Sequence, residues 1–171
     1  MDIAQDILKT LKSLCILLSE ARINYCLVGG LAVAILAKPR ATEDIDFLIL
    51  VEEQKRSSIA DLIKKKFEII QDDQVIHFKN ATIWRTVLGS PSSDAARFVI
   101  VDFLLADNEA YREAVLNPLE LTIDNVKIPV ASPENLINIK KIAGRPQDLL
   151  DIESLKEALT RQTPSAVSRK A

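Results

Sequence analysis

The stretch from Tyr25 to Leu50 (YCLVGGLAVAILAKPRATEDIDFLIL) constrains the fold of this chain most strongly. It contains a short apolar run, two adjacent glycines, an alanine- and leucine-rich segment, and a second apolar run that carries Asp44 and Asp46. Side chains two residues apart on a β-strand leave the same face. Two such carboxylates are costly in an apolar strand unless a positive charge lies between them. A divalent metal ion is the simplest candidate for that charge, and a solvent-facing acidic strand end is the alternative.

Length and composition predict one globular unit. Of the 171 residues, 48% are hydrophobic and 27% are charged, which is typical of a chain that buries a core. We expect a core over residues 1–131, a C-terminal helical segment packed on it over residues 132–161, and a frayed tail at 162–171. The sequence shows neither a signal-peptide pattern nor an apolar run long enough to span a membrane, so we expect a cytoplasmic protein with no membrane partner.

Hydrophobic periodicity and breaker residues predict a mixture of helices and strands. Helices are expected over residues 2–22, 31–37, 54–66, 108–116, 133–143 and from 146 onward. Strands are expected over residues 25–28, 45–51, 67–70, 75–79, 82–88, 98–105, 119–123 and 126–130. Two hairpins are expected, one at Asp72-Asp73 and one at Asp124-Asn125, and a loop at residues 89–96. Because helices and strands do not alternate strictly, the fold class is α+β, with helices against a mixed sheet.

Gly29 and Gly30 lie between a predicted strand and a predicted helix. Glycines at such a junction let the backbone approach a ligand closely, and the free N–H groups at a helix start suit a phosphate. A tight turn without a ligand explains the same pair. The glycines alone do not separate these two interpretations.

Asp102 is a single carboxylate inside the apolar segment FVIVDFLL. Burying an unpaired carboxylate is strongly unfavourable, so Asp102 requires a partner. If its strand lies beside residues 45–51, Asp102 joins Asp44 and Asp46 at a metal site. The alternative partner is a lysine or arginine of the core.

The order strand, Gly-Gly, short helix, Asp-x-Asp and a later single aspartate resembles the nucleotidyltransferase superfamily that includes DNA polymerase β. The stretch is similar in particular to the minimal nucleotidyltransferases and the abortive-infection toxin branch among the small bacterial members. Their Arg-x-Thr-x-Asp-hydrophobic-Asp pattern is matched by Arg40, Thr42, Asp44 and Asp46. One departure is Leu31, which stands where many members have serine after glycine.

The segment KKIAGRPQDLLDI (140–152) is similar, more loosely, to the C-terminal helical stretch of the same superfamily. There a basic residue precedes an Arg-x-x-Asp-x-x-Asp pattern, which Arg145, Asp148 and Asp151 match. Pro146-Gln147 departs from the more common basic residue. This similarity supports a nucleotidyltransferase-like core followed by helices.

The resemblance implies a Mg²⁺-dependent enzyme that transfers a nucleoside monophosphate from an NTP to an acceptor hydroxyl and releases pyrophosphate. The acceptor would be a protein, an RNA or a small molecule, and a cognate partner protein is implied by the toxin branch. Two Mg²⁺ ions, or Mn²⁺, would be held by Asp44, Asp46 and Asp102, which are also the implied catalytic residues. The implied nucleotide-binding residues are Gly29, Gly30, Arg40, Thr42, Lys140 and Arg145.

Two other functions fit the same sequence. A catalytically silent nucleotidyltransferase fold could act as a binding or regulatory protein, for example as one component of a toxin–antitoxin pair. A structural domain that binds a metal without nucleotide is the third. A silent fold would not transfer label from a labelled NTP to an acceptor, whereas an enzyme would. A structural metal-binding domain would show no effect of nucleotide on its thermal stability.

Overall fold

A computed structural model of the chain describes residues 3–72, 75–89 and 97–162. Its helices are α1 (Ile3–Glu20), α2 (Gly29–Leu36), α3 (Arg56–Ile63), α4 (Glu109–Leu116), α5 (Pro133–Ala143) and α6 (Pro146–Gln162), with a 3-10 turn at Glu53–Lys55. Its strands are β1 (Tyr25–Val28), β2 (Asp44–Ile49), β3 (Ile69–Asp72), β4 (Ile76–His77), β5 (Thr82–Gly89), β6 (Phe98–Leu105), β7 (Leu119–Ile123) and β8 (Val126–Val130). Of the loop predicted over residues 89–96, residues 90–96 lie outside the described residues, and so do residues 163–171 of the tail predicted over 162–171.

The strands form one eight-stranded mixed sheet in the order β3-β5-β6-β2-β1-β8-β7, with β4 also paired to β5. Two neighbouring pairs, β2 with β6 and β1 with β8, are parallel, and the other pairs are antiparallel. Helices pack against this sheet. The predicted α+β class with a mixed sheet is confirmed.

The predicted hairpin at Asp72-Asp73 is wrong, although Asp73 itself lies outside the described residues. Both β3 and β4 pair antiparallel with β5: Asp72 lies opposite Thr86, and Ile76 lies opposite Ile83. The chain therefore continues along one edge of β5 instead of reversing. The eight-residue length of β5 allows its edge to pair with both short strands in succession.

The predicted hairpin at Asp124-Asn125 is confirmed. Ile123 lies opposite Val126, so the loop has two residues, and both have positive φ angles of 48° and 63°. This is the backbone conformation of the two-residue turns whose twist matches that of the flanking strands. Asparagine and aspartate tolerate it better than most residues.

Helix α2 begins at Gly29, two residues before its predicted start. Both glycines therefore belong to the first helical turn, directly at the end of β1. The predicted helix over residues 54–66 is shorter in the structure, because a 3-10 turn precedes α3 and the helix ends at Ile63. Within the described parts of the chain, no helix has the length and apolar character required to cross a membrane.

Alternation along β2 separates the core from the candidate site. Phe47 packs edge-on to Tyr25 of β1 at 5.5 Å and stacks on Phe103 of β6 at 5.9 Å. The Tyr25 hydroxyl donates a hydrogen bond to the Cys15 carbonyl of α1 at 2.8 Å, so α1 covers this aromatic face. Since neighbouring side chains of a strand alternate, the carboxylate of Asp46 leaves the opposite face.

Candidate active site

The parallel pairing of β2 with β6 brings the three predicted carboxylates together. Asp46 lies directly opposite Asp102 in the strand register. One oxygen of each of Asp44, Asp46 and Asp102 lies within 4.8 Å of the others. Asp102 is buried, and the two aspartates of β2 are partly exposed, so the group opens on one side.

The electrostatics of this group favour a cation. Burial, followed by the charges of Asp44 and Asp102, raises the pKa of the Asp46 carboxyl to about 7. The Asp46 carboxyl therefore keeps its proton below about pH 7, and a cation bound beside it would favour the ionised form. Carboxylate oxygens are the hard ligands that Mg²⁺ and Mn²⁺ prefer, so the residues present fit such an ion.

Thr42 contacts the site through Asp44. Its hydroxyl donates a hydrogen bond to Asp44 Oδ1 at 2.9 Å. This bond orients the first carboxylate from the loop that precedes β2. The threonine predicted to bind nucleotide thus lies where it positions a carboxylate.

Asp102 also has a basic partner, Arg85 of β5. The two residues are cross-strand neighbours, and Arg85 donates from Nε to Asp102 Oδ1 at 2.7 Å and from a terminal nitrogen to Oδ2 at 2.6 Å. The hydrogen bonds to Asp102 raise the pKa of the Arg85 guanidinium. A carboxylate oxygen has two lone pairs, so this pairing leaves Asp102 able to bind a metal. The arginine partner of Asp102 is therefore observed, and its role as a metal ligand stays a prediction.

Arg85 was not identified from the sequence. The alternation in ATIWRTVL places Trp84 and Arg85 on opposite faces of a strand, and Trp84 is indeed buried. That pattern could have placed Arg85 on the polar face. The register that aligns it with Asp102 depends on long-range pairing, which periodicity does not reveal.

The two glycines allow close approach of other parts of the site. Gly29 has a φ of +67°, and a Cβ atom there would overlap the Asp46 carboxylate. A Cβ atom on Gly30 would overlap the Arg40 guanidinium and would lie 3.0 Å from Thr42 Oγ1. Larger residues at these positions are therefore incompatible with the observed placement of Asp46 and Arg40.

The start of α2 has no side-chain cap within the described part of the chain. The residue before it is Val28, and among the described residues no side chain makes a capping hydrogen bond there. The first N–H groups of a helix lack partners within the helix and carry partial positive charge. The structure therefore places uncapped N–H groups beside the carboxylates.

The predicted basic residues of the C-terminal segment are paired with carboxylates of α6. Lys140 is buried, and its Nζ lies 2.6 Å from Asp151 Oδ2 and 3.2 Å from Asp148 Oδ1. Arg145 contacts Asp148 at 3.0 Å, and Arg40 Nε lies 3.6 Å from Asp151. Asp148 and Asp151 thus link Arg40, in the loop between α2 and β2 (called the active-site loop below), to α5 and α6.

One cleft of about 650 Å³ connects these groups. Its lining includes nearly all the predicted site residues, namely Gly29, Gly30, Arg40, Asp44, Asp46, Asp102, Lys140 and Arg145. Thr42 does not belong to this lining and contacts the site through its hydrogen bond to Asp44. A larger, more open depression of about 1010 Å³ is formed by residues 21–24, 50–55 and parts of α3 and α4, and none of these described lining residues belongs to the predicted site.

Solved structures share this fold. An antigenic nucleotidyltransferase-like protein from Paracoccidioides brasiliensis has a TM-score of 0.62 and 20% identity, over 91% of this chain and 76% of that one. The lincomycin-bound lincosamide antibiotic adenylyltransferase LnuA has a TM-score of 0.51 and 18% identity, over 90% of this chain and 96% of that one. ANT(2")-Ia, in complex with adenylyl-2"-tobramycin, has a TM-score of 0.51 and 16% identity, over 94% of this chain and 90% of that one. These similarities show the nucleotidyltransferase fold.

The sequence itself identifies the family. A comparison with curated protein sequences gives no match. The sequence model of the family described as "Nucleotidyl transferase AbiEii toxin, Type IV TA system" matches residues 12–166, which is most of the chain. This match confirms the resemblance to the abortive-infection toxin branch. The chain belongs to the AbiEii nucleotidyltransferase toxin family.

Proposed function

We propose that this protein is a Mg²⁺-dependent nucleotidyltransferase that transfers a nucleoside monophosphate from an NTP to an acceptor hydroxyl. The observation that carries the proposal is the convergence of Asp44, Asp46 and Asp102 within 4.8 Å beside the start of α2. The acceptor oxygen forms a bond to the α-phosphorus, and the bond to the β-phosphate oxygen breaks. Pyrophosphate leaves, and the proton of the acceptor hydroxyl passes to a carboxylate oxygen of Asp102.

In this proposal, Asp44, Asp46 and Asp102 would hold two Mg²⁺ or Mn²⁺ ions, which would stabilise the charge that develops on the attacking and leaving oxygens. Thr42 holds the Asp44 carboxylate in orientation through its 2.9 Å hydrogen bond. Arg85 fixes the plane of the Asp102 carboxylate by its bidentate contact. The protein thus contributes preorganised ligands, which lowers the cost of assembling the site.

The first turn of α2 would bind the β- and γ-phosphates. Gly29 and Gly30 offer backbone N–H groups there, and anions bind favourably at helix starts. Arg40 lies next to Gly30 with a terminal guanidinium nitrogen, while its Nε lies 3.6 Å from Asp151. We therefore assign Arg40 to the phosphates.

Lys140 and Arg145 would add positive charge at the same end of the cleft. Because Asp148 and Asp151 already pair with them, phosphates must compete with these two carboxylates. We expect Lys140 and Arg145 to favour phosphate binding partly through their positive charge, and not only through direct hydrogen bonds to the phosphates.

The acceptor is proposed as a class, a hydroxyl of a protein, an RNA or a small molecule. LnuA is an antibiotic adenylyltransferase, and the ANT(2")-Ia complex contains an adenylylated tobramycin. The family description adds a toxin–antitoxin system, from which we propose a cognate partner protein. We place the reaction in the cytoplasm, where NTPs and Mg²⁺ are abundant.

The test is incubation with labelled NTPs, Mg²⁺ and a panel of protein, RNA and aminoglycoside or lincosamide acceptors. The wild-type protein should transfer label, and Asp46→Asn should lose transfer by a factor of about 100 or more, since a metal ligand is removed. Asp61→Asn, a change at an exposed carboxylate of α3, is the matched control and should retain activity. Equal transfer by wild type and Asp46→Asn would contradict the proposed roles.

A thermal-denaturation series completes the experiment. An NTP with Mg²⁺ should raise the Tm of the wild-type protein, because a ligand that binds the native state stabilises it by mass action. A rise in Tm without transfer to any acceptor of the panel would favour a catalytically silent nucleotide-binding protein. Metal affinity without a nucleotide effect would favour a structural metal site.

A further inference from the structure

The cleft changes from charged to apolar along β5 and β6. The cross-strand pair Arg85–Asp102 is followed, two residues further on the same face, by the pair Ile83–Leu104. Ile83 and Leu104 are partly exposed and line the same cleft as the carboxylates. With a rise of about 3.3 Å per residue, the apolar pair lies about 6.6 Å along the strands from the charged pair.

Beyond this apolar floor lies the turn over residues 78–81, which is held in place by two helices. The Phe78 N–H donates to the Ala81 carbonyl at 2.7 Å. The Asn80 side-chain amide donates to the Ile142 carbonyl at the end of α5 at 3.2 Å. The Tyr111 hydroxyl of α4 donates to the Asn80 carbonyl at 3.2 Å. These hydrogen bonds fix the backbone of the turn relative to α4 and α5.

Phe78 is the aromatic side chain that this turn presents to the cleft. It is 57% exposed and belongs to the cleft lining. A second exposed phenylalanine, Phe98, is 62% exposed at the start of β6 and does not belong to that lining. An exposed ring on a braced turn, beside an aliphatic floor, has the geometry of a stacking platform for a planar group.

A single ligand class matches both ends of this cleft. The carboxylates and the start of α2 suit a metal-bound polyphosphate, whereas Ile83, Leu104 and Phe78 suit the face of a flat aromatic ring. A nucleoside triphosphate carries both groups, joined by a ribose that bridges the distance between them. Leu136 and Ile139 of α5 contribute further apolar lining to the cleft.

We propose that the apolar end of the cleft binds the nucleobase of the NTP and that Phe78 stacks on it. This inference rests on the proposed nucleotidyltransferase function and adds to it the residue that contacts the base. Purines should bind more tightly than pyrimidines, because a purine offers a larger stacking surface. Phe78 is thereby assigned to nucleotide affinity and not to the transfer chemistry.

The first test is equilibrium binding of ATP and of inorganic tripolyphosphate, each with Mg²⁺, by titration calorimetry. Phe78→Ala should weaken ATP binding by about 5- to 150-fold, the range expected for loss of one aromatic–base stack. It should leave tripolyphosphate binding within twofold of wild type. Phe98→Ala is the matched control and should change neither affinity.

The second test places a reporter at the same position. The chain has one tryptophan, Trp84, which is buried and stacked on Phe103. In Phe78→Trp, ATP should quench the fluorescence of the added exposed indole, and tripolyphosphate should not. The equivalent Phe98→Trp should not respond to ATP. Because this change retains an aromatic ring, it also covers the case in which Phe78→Ala fails to fold.

The outcomes separate this inference from the proposed function. If wild type binds ATP with Mg²⁺ but Phe78→Ala binds it equally well, the inference is overturned and the proposed function stands. An unquenched indole in an ATP-saturated Phe78→Trp protein overturns it as well. If wild type binds neither ATP nor another NTP with Mg²⁺, the proposed function itself fails.

Discussion

At the scale of single residues, the burial of Asp46 makes the stability of the metal-free protein depend on pH. Its pKa is raised from 3.8 to about 7, first by burial and then by the charges of Asp44 and Asp102. Between these two pH values the folded protein keeps a proton that the unfolded chain has lost. The free energy of unfolding therefore falls as the pH rises from about 4 to about 7.

From this follows a prediction for Asp46→Asn in the absence of divalent metal. The amide cannot ionise, so the variant should be more stable than wild type at pH 8 by roughly 2–4 kcal/mol, and the difference should shrink towards pH 4. Urea denaturation at pH 4, 6 and 8 in EDTA measures it. Asp61→Asn should show no comparable gain, and a variant less stable than wild type at pH 8 would disprove the electrostatic interpretation.

At the scale of elements, the junction of β1 and α2 places a helix start against a carboxylate. Gly29 and Gly144 both have a φ of +67°, which favours glycine. They differ in surroundings: a Cβ on Gly29 would overlap the Asp46 carboxylate, whereas a Cβ on Gly144 would meet only the Lys141 carbonyl at 3.8 Å. A substitution therefore strains the backbone at both glycines, but only at Gly29 does the added side chain also collide with Asp46.

Gly29→Ala and Gly144→Ala form a matched pair for a second prediction. Each should lose about 1–2 kcal/mol of stability from the left-handed backbone. Gly29→Ala should lose more and should also lose the increase in Tm produced by Mg²⁺ with an NTP, because Asp46 is displaced. Gly144→Ala should keep that increase. Equal responses of the two variants to Mg²⁺ and NTP would show that the close approach at Gly29 is unimportant for the site.

The elements also show how far local patterns extend. The bounds of β6 and of the hairpin β7–β8 agree with the sequence, because alternation, β-branched residues and turn residues are local signals. The pairing of β3 and β4 with β5 was missed. Two short strands separated by acidic residues are compatible with a hairpin and also with a chain that continues in one direction. The pairing of both strands with β5 selects the second arrangement.

At the scale of the whole molecule, a buried ion cluster joins the C-terminal helices to the active-site loop. Lys140 of α5 contacts Asp148 and Asp151 of α6, and Arg40 of the loop approaches Asp151. The side chains of Lys140, Asp148 and Asp151 are at most 4% exposed. Removing the charge of Lys140 leaves Asp148 with Arg145, and Asp151 with the more distant Arg40, as the remaining cations, and loss of a buried partner is strongly destabilising.

Lys140→Met should destabilise the protein by about 3–5 kcal/mol, because two buried carboxylates lose their shared cation. The triple variant Lys140→Met, Asp148→Asn, Asp151→Asn should recover part of that loss. Denaturant unfolding measures both, and Lys141→Met, at an exposed neighbouring position, is the control. A loss under 1 kcal/mol for Lys140→Met would contradict the structural importance of the cluster.

The sequence alone determined that Asp44 and Asp46 share a face, that two glycines lie at a strand-to-helix junction, and that the chain resembles nucleotidyltransferases. These features depend on residue type and on spacing of a few positions. Tertiary structure alone decided that Arg85 of β5 binds Asp102 of β6 and that Lys140 of α5 pairs with acidic residues of α6. Such contacts join residues through strand register and helix packing, which long-range burial sets and local periodicity does not specify.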